Sequence, residues 1–485
     1  MRIIAPVFTL ALIGLLTQPI AAQSAAQSEG STSDSEETAS TAAAQAQERP
    51  APGQQLAHWF GKAAAAYERQ DIEAWVEATE ELHRLRPYNQ DFMRHLVEGH
   101  ARLGNLRQAY DMMLKMQQQG LSENWDQIEA VEPLRQHEIY DHLNRLMSEA
   151  GEPFGDTTVW SRLGSDYPMP EAMAVDPASN RVFVGTVRDG LIITSEDGES
   201  WTTWASPGEV GELQAVFDLA IDADRDRLWV ATGRVPQFQG PEREGDIRSS
   251  LLRFNLETGA LEAEYPLSTG GGRNLLGSLA VAQDGTVFAA DTQAPVVYRL
   301  DSPDGQLRPF FGHNSFTSLR GLALNEDGTL LYIADYELGI FVVDATGGQQ
   351  AWQLGVPETF NAGGVDGLFF WDDHLIAIQN AISPQRVVRL KLGPDGLGAT
   401  EVAPLAAAKN EFDTPTFGAM DGNALYFFAA SHWHHVDAEG KAEGDLPEVP
   451  IMKIDVDNAS VKVVGEEIME RIQRQREEQR QQQPE

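Results

Sequence analysis

Phe217-Asp-Leu-Ala-Ile-Asp222 and Arg227-Leu-Trp-Val-Ala-Thr232 are two short apolar strands separated by a polar turn. Such a pair is typical of a β-hairpin, and it recurs six times after Pro153. The first strands of the six copies span residues 171–176, 217–222, 277–282, 320–325, 366–371 and 416–421. Their third positions (Met173, Leu219, Leu279, Leu322, Leu368 and Gly418) are 46, 60, 43, 46 and 50 residues apart. Repetition at this period predicts a mainly β domain, a six-bladed β-propeller over residues 157–464.

Closure of the predicted ring requires strands from both ends of the domain. The available segments are Thr157–Leu163, Pro450–Val456 and Ser460–Val464, and the sequence does not decide which of them lies outermost. The long second interval contains a polar insertion, residues 236–248, which predicts a loop projecting from one face.

Residues 54–150 have helical periodicity instead. A shift of 34 residues aligns Asp71 with Asn105, Ile72 with Leu106 and Leu82 with Met116. This period resembles tetratricopeptide repeats and predicts an N-terminal α-helical repeat domain, with two full repeats and a degenerate third helix pair over Trp125–Met147. Two roles stay open: a groove for a peptide or protein, or a helical cap on the next domain.

The two ends of the chain carry segments of other kinds. Residues 1–22 have a positive start, an apolar run and small residues before a cleavage point, which predicts a signal peptide and a periplasmic or secreted protein. Residues 23–53 are rich in Ala, Ser and Gln and predict a disordered low-complexity linker. Residues 465–485 predict a polar tail.

Composition excludes several classes of function. The chain has 485 residues with 36 Lys+Arg, 73 Asp+Glu and a net charge of −37, which argues against nucleic-acid binding and against docking on anionic lipid. No later segment has the roughly 18 apolar residues of a spanning helix, so we expect no membrane insertion. The absence of cysteine excludes disulfides and thiolate chemistry. The remaining partners are a protein or a small-molecule ligand.

The residues that open the six first strands are expected to converge on the central channel. They include Glu171, Asp218, Arg320 and Asp366. A glutamate and an aspartate at one end of a channel can hold a hard cation such as calcium, which can activate water. The ends of the second strands add Asp335, Asn380 and His432 as candidate ligand-binding residues, and turn capping is their alternative role.

The β-rich region resembles the six-bladed propellers of the senescence-marker-protein/gluconolactonase group, and more loosely the NHL-type propellers. Pro170-Glu171-Ala172 and Val365-Asp366-Gly367-Leu368 resemble two short motifs of that group. The resemblance implies that Glu171 and Asp366 are metal ligands, that Asp366 is the catalytic base, and that the activity is that of a calcium-dependent lactonase or ester hydrolase.

Arg320 departs from that pattern, because it stands where the group has an asparagine ligand. An arginine there either neutralises Glu171 and Asp366, which removes the need for a metal, or binds an anionic ligand. Two functions therefore stay open: a protein- or ligand-binding platform without turnover, and the calcium-dependent lactonase. An Arg320 within hydrogen-bond reach of Glu171 or Asp366 would close the metal site and favour the platform, whereas an Arg320 that points away would favour the lactonase.

The segment His432-Trp-His-His435 provides imidazoles that can bind a metal. Its alternative role is a loop that leaves a strand. The sequence favours the loop, because it does not identify an acidic partner that would orient these rings.

Overall fold

A computed structural model describes residues 52–458, apart from residues 242, 244–246, 268–273, 314, 348–349 and 443. The predicted signal peptide, nearly all of the predicted linker, Ser460–Val464 and the polar tail lie outside these residues. None of the helices within them has the length and hydropathy needed to cross a bilayer.

The described part of the β-rich region forms six four-stranded antiparallel sheets, which confirms the predicted six-bladed propeller. Blade 1 contains β2 (Pro170–Asp176), β3 (Arg181–Thr186), β4 (Ile192–Ser195) and β5 (Thr202–Ala205). Blade 2 contains β6 (Ala215–Asp222), β7 (Arg227–Gly233), β8 (Ser249–Asn255) and β9 (Leu261–Pro266). Blade 3 contains β10 (Leu276–Val281), β11 (Val287–Asp291), β12 (Val296–Leu300) and β13 (Arg308–Gly312).

The remaining blades follow in chain order. Blade 4 contains β14 (Leu319–Leu324), β15 (Leu330–Asp335), β16 (Gly339–Asp344) and β17 (Ala351–Gln353). Blade 5 contains β18 (Val365–Trp371), β19 (His374–Gln379), β20 (Arg386–Leu392) and β21 (Ala399–Ala407). Blade 6 contains β22 (Gly418–Asp421), β23 (Ala424–Phe428), β24 (Val449–Asp455) and β1 (Thr158–Leu163).

The ring is closed in blade 6 by the N-terminal strand of the domain. The strand order β22-β23-β24-β1 places β1 outermost, paired with β24. Closure therefore joins the two ends of the propeller by hydrogen bonds between β1 and β24.

Apolar side chains pack between each pair of neighbouring blades. Between blades 1 and 2, Ala172 and Ala174 of the inner strand β2 meet Val216 and Leu219 of β6. The packing is close, since at Gly185 of β3 a Cβ atom would lie 2.3 Å from the Val216 side chain of the neighbouring blade.

Five α-helices precede the propeller in the described residues. They are α1 (Pro52–Glu68), α2 (Ile72–Leu85), α3 (Gln90–Arg102), α4 (Leu106–Gln118) and α5 (Glu138–Ala150). The helices α2 and α4 begin 34 residues apart, and α2 is capped by the Asp71 carboxylate, which accepts from the Ala74 N–H. Assignment of the module to the tetratricopeptide class stays a prediction.

The expected third helix pair differs from the structure. Residues 125–134 form two short 3₁₀ helices, Trp125–Gln127 and Glu129–Leu134, and only the second member of the pair is an α-helix. Pro133 lies inside the second 3₁₀ helix, and proline disfavours α-helical conformation in the residue before it. The Trp125 side chain is nevertheless fully buried and completes the helical core.

The helices pack on blades 4 and 5. The buried Arg386 side chain, at the start of β20, donates from Nη1 to the carbonyl of Gln119, which ends α4, over 3.0 Å. Arg86 forms an ion pair with Glu337, and Ser122 donates from its N–H to the carbonyl of Ser383 over 2.7 Å. A Cβ atom on Gly363 would lie 2.6 Å from that of Tyr88, so the helical module approaches the propeller backbone closely.

Candidate functional site

The inner strands of the propeller begin at one end of the channel, which we call the site face. Five of the six described inner strands have a register irregularity at this point, and the residues there include Glu171, Phe217, Gly277, Arg320 and Asp366. A β-bulge leaves a residue unpaired and redirects its side chain. The predicted convergence of strand openings therefore has a specific backbone cause.

Arg320 and Asp366 form an ion pair in the channel. Nε of Arg320 lies 3.7 Å from Oδ1 of Asp366, and the Arg320 side chain is 27% exposed. The guanidinium carbon lies 5.3 Å from the centre of the Tyr336 ring, in a cation–π contact. The 3.7 Å between Arg320 Nε and Asp366 Oδ1 exceeds hydrogen-bonding distance. The hydrogen bond that would close the metal site is therefore not formed between these two atoms, and both remain available.

Asp366 is also held by an amide. Asn380 donates from Nδ2 to Oδ2 of Asp366 over 2.8 Å and to the carbonyl of Pro415 over 2.9 Å. The Tyr336 hydroxyl donates to Oδ1 of Asn380 over 2.6 Å. This network fixes the orientation of Asp366. It also links the segments that follow β15 and β19 to the segment that precedes β22.

Glu171 is a buried acid at the same end of the channel. Glu171 is 6% exposed. Its burial, and to a smaller extent the negative charge of Asp366, raises its pKa to about 8. The indole of Trp433 donates a hydrogen bond to Glu171, and this bond and the Arg320 charge oppose the rise without cancelling it. The carboxyl group is therefore mostly protonated at pH 7 and can act as a hydrogen-bond donor.

Asp218 connects two blades. Its carboxylate accepts from the N–H of Leu219 over 2.8 Å and from the N–H of Leu279 on the neighbouring inner strand over 2.7 Å. Burial raises its pKa to about 7. Ser278 forms the next link, since its hydroxyl accepts from the N–H of Leu322 over 3.1 Å. Both oxygens of Asp218 are thus engaged by the propeller itself.

Asp335 and His432 are engaged in the same way. The Asp335 carboxylate accepts from the N–H and hydroxyl of Thr317, over 2.6 and 2.7 Å, and from the N–H groups of Glu337 and Leu338. Nδ1 of His432 accepts from the Met169 N–H over 3.1 Å, and Nε2 lies 2.8 Å from the Pro447 carbonyl. Of the predicted ligand-binding residues, Arg320 and Asn380 lie next to Asp366. Asp218, Asp335 and His432 instead form hydrogen bonds with the backbone of the strands and loops around them.

An apolar ring lies in the channel beneath the polar residues. It consists of the repeated third positions of the inner strands, and it lines a cavity of about 350 Å³ together with Asp218 and Ser278. The lining positions are Met173, Leu219, Leu279, Leu322, Leu368 and Gly418. The channel is therefore polar at the site face and apolar below it.

Two loops partly cover the site face. The insertion after β7 does not simply project, because Phe238 packs against an apolar cluster that includes Phe217 and Trp433. The loop between β23 and β24 meets it, and Gln239 and Arg188 both donate to the Gly440 carbonyl. Sequence reasoning missed Trp433 and Tyr336 as residues of the site, because each lies in a connection whose path depends on the tertiary fold.

The polar residues of the channel fit an ion pair better than a calcium ion. The Arg320 guanidinium already faces Asp366, so a divalent ion there would meet a like charge. Asn380 presents its NH₂ group to Asp366, while its oxygen accepts from Tyr336. Calcium takes anionic and carbonyl oxygens, and a calcium ion here would have to displace the proton of Glu171. The calcium site implied by Glu171 and Asp366 stays a prediction.

A second concave surface lies among α2, α3 and α4. It is a cavity of about 360 Å³ whose lining includes His83, Leu96, His100, Met112 and Lys115. Burial, and then the charge of Lys115, lowers the pKa of His83 to about 4, so this imidazole is neutral at pH 7. The helices therefore cover blades 4 and 5 and also present a groove to solvent, and both predicted roles of the module stay open.

No family model and no curated protein sequence matches the chain. Solved propeller structures are similar to it at low identity. One is the calcium-binding protein regucalcin of Agrobacterium tumefaciens (17% identity, TM-score 0.42, covering 61% of this chain and 95% of that one). Another is a gluconolactonase of Xanthomonas campestris (16%, 0.41, 63% and 93%). A third is the PQQ-bound aldose sugar dehydrogenase of Streptomyces coelicolor (13%, 0.43, 62% and 100%).

Proposed function

We propose that the chain is a secreted or periplasmic binding protein whose propeller channel holds a small hydroxylated carboxylate without turning it over. The observation that carries this proposal is the Arg320–Asp366 pair at the centre of the site face. A guanidinium matches a carboxylate in geometry and charge.

Three polar atoms of the channel are buried and have no hydrogen-bond partner among the described residues. They are Nε of Arg320, Oδ1 of Asp366 and Oγ1 of Thr416. Buried polar atoms without partners are unfavourable, and such atoms in a native structure indicate a bound molecule or ordered water. Together they offer a cationic donor, an anionic acceptor and a hydroxyl.

This set of atoms is complementary to a hydroxy acid. The carboxylate of such a ligand is expected to bind Arg320, and one of its hydroxyls is expected to donate to Asp366. The protonated Glu171 adds a donor, because its raised pKa keeps the proton on the acid at neutral pH. The loop that carries Phe238 and the loop that carries Trp433 restrict access to the channel, which favours a small ligand over a polymer.

The test is calorimetric titration of the full chain with a panel of hydroxycarboxylates, from lactate to gluconate, and with acetate as the ligand that lacks hydroxyls. We expect at least one hydroxycarboxylate to bind more tightly than acetate. Arg320→Met is expected to weaken that binding about 10- to 100-fold, since hydrogen bonds to charged groups contribute about 1.5–3 kcal/mol. Arg308→Met, which removes an exposed arginine of the outer strand β13, is the matched control and should bind as the wild type does.

The lactonase alternative is tested on the same protein. Calcium is titrated into the metal-free chain, and a set of lactones and aryl esters is assayed with and without calcium. One calcium per chain, together with turnover that Asp366→Ala abolishes, would replace the binding proposal by the calcium-dependent hydrolase. Binding that Arg320→Met leaves unchanged would also contradict the proposal.

A further inference from the structure

A second cluster of chemistry-bearing side chains lies on blade 6, apart from the ion pair in the channel. It consists of Asp413, His434 and His435, which offer one ligand atom each, all within 4.8 Å of one another. Nε2 of His434 lies 3.3 Å from Oδ2 of Asp413, and Nε2 of His435 lies 3.8 Å from the same oxygen. The cluster supplies the acidic partner that the sequence did not identify.

The backbone holds this cluster in place. Asp413 forms a bridge with Ala430, its N–H donates to Ala429, and its carbonyl accepts from the Ser431 N–H over 2.9 Å. Asp413 is therefore fixed beside the chain that leads directly into the histidines. The neighbouring His432 is not part of the cluster, because both of its ring nitrogens already bond to the main chain.

The two imidazoles are placed against each other by a short 3₁₀ helix, Trp433–His435. Their ring centroids lie 4.1 Å apart. Imidazole nitrogens and carboxylate oxygens are ligands of divalent transition metals, and this arrangement brings two of the former close to one of the latter.

We propose that Asp413, His434 and His435 bind a divalent transition metal, with Zn²⁺ as the best match. Zinc takes imidazole nitrogen and carboxylate oxygen ligands at about 2.0–2.2 Å, which sets tetrahedral ligand atoms about 3.3 Å apart. The Asp413–His434 separation already equals this spacing, and Nε2 of His435 lies only slightly farther, 3.8 Å, from the same carboxylate oxygen. Nε2 of His435 is buried and has no hydrogen-bond partner within the described part of the chain, so it is available as a ligand.

Three protein ligands leave the fourth zinc position open to water or to an external ligand. The side chains of Asp413 and His434 are exposed, so the metal is reachable from solvent. Trp433 lies next to His434 in the same short 3₁₀ helix. Its indole is therefore close enough in the chain to report on metal binding by fluorescence.

The experiment titrates Zn²⁺ into the full chain after treatment with EDTA, at pH 7.5, by calorimetry and by Trp fluorescence. We expect one Zn²⁺ per chain, with binding weakened at least tenfold in Asp413→Asn and in His434→Gln. His313→Gln, at another exposed histidine, and Asp366→Asn, in the channel, are the controls and should leave Zn²⁺ affinity unchanged. Circular dichroism of each variant checks that it has folded.

Two results would overturn the proposal. One is the absence of Zn²⁺ binding by the folded wild-type chain at Zn²⁺ concentrations up to about 1 mM, which is on the order of the dissociation constants of weak metal sites. The other is binding whose affinity survives both Asp413→Asn and His434→Gln. Loss of binding in Asp366→Asn alone would assign the ion to the channel and would also overturn it.

Discussion

Replacement of Glu171 by glutamine is expected to stabilise the protein in alkaline solution by about 3–5 kcal/mol relative to the wild type. Glutamine has the same shape and can still accept the hydrogen bond from Trp433. It carries no charge, however, and therefore avoids the repulsion from Asp366 and the loss of hydration that raise the pKa of Glu171 to about 8.

The pH window of this effect follows from the two pKa values of the group. The ordinary pKa of the glutamate side chain is 4.5, and its folded value is about 8. Between these values the folded chain keeps a proton that the unfolded chain releases, so stability falls as the pH rises. Below pH 4.5 both states are protonated, and wild type and variant are expected to differ little. Above pH 8 the full difference is present.

The measurement is urea unfolding of the wild type and Glu171→Gln at pH 5 and pH 9. Glu401→Gln is the matched control, because the Glu401 side chain is 61% exposed and pairs only with the exposed Lys391 among the described residues. Its effect should be the same at both pH values. A gain in Glu171→Gln that is equal at pH 5 and pH 9 would show that Glu171 titrates as an ordinary glutamate.

A stabilising substitution at this position bears on function. Natural proteins keep unfavourable groups where activity or binding requires them, and removal of such a group stabilises the fold while it reduces function. The Glu171 acid is expected to belong to this class. Glu171→Gln keeps a side-chain NH₂ donor in place of the protonated acid. We therefore expect only a modest loss of ligand affinity if this side chain donates a hydrogen bond to the ligand.

The blade pattern could be predicted because it is local. Each hairpin is encoded by adjacent apolar runs, and the third positions that set the repeat are the residues that line the channel, from Met173 to Leu368. Strand openings were predicted to converge, and the bulges at Glu171, Arg320 and Asp366 show why they do. The outermost strand could not be predicted, since three segments of similar character competed for one position.

The site was predictable only in part, because its remaining contacts join distant segments. Tyr336 reaches Asn380 across 44 residues, and His434 meets Asp413 across 21. No local pattern encodes either distance. Asp335 was a candidate ligand because it ends a strand at the site face, yet the backbone N–H groups of its own turn satisfy it. A buried acid next to a turn can cap that turn instead of binding a ligand, and sequence alone does not distinguish these two roles.

The interface between helices and propeller depends on another residue that sequence reasoning passed over. Arg386 is buried, donates from Nε to Oε1 of Gln379 over 2.8 Å, and reaches the carbonyl of Gln119 through Nη1. Burial lowers its pKa to about 10, so it is still charged at pH 7. A cation at the end of α4 also interacts favourably with the partial negative charge of the helix C-terminus.

Arg386→Leu is expected to lower the free energy of unfolding by about 3 kcal/mol or more, because it removes charge-assisted bonds and leaves buried carbonyl groups without donors. Hydrogen exchange should show the loss first in α4, since this helix loses its C-terminal contact with blade 5. Arg389→Leu, three residues along the same strand, is the matched control. Arg389 donates to the carbonyl of Val456 and not to the helices, so α4 should keep its wild-type protection.

Gly363→Ala tests the same interface without altering a charge. Its new Cβ atom would lie 2.6 Å from the Cβ of Tyr88, which forces the helical module away from the propeller. We expect exchange to increase in α3, which begins just after Tyr88, and in α4, as it does in Arg386→Leu. If neither variant alters exchange in these helices, the helical module would be stable without its contacts to blades 4 and 5. Since a helical module of this small size buries little surface alone, we expect the opposite: the propeller stabilises the helices, and disruption of the interface unfolds them first.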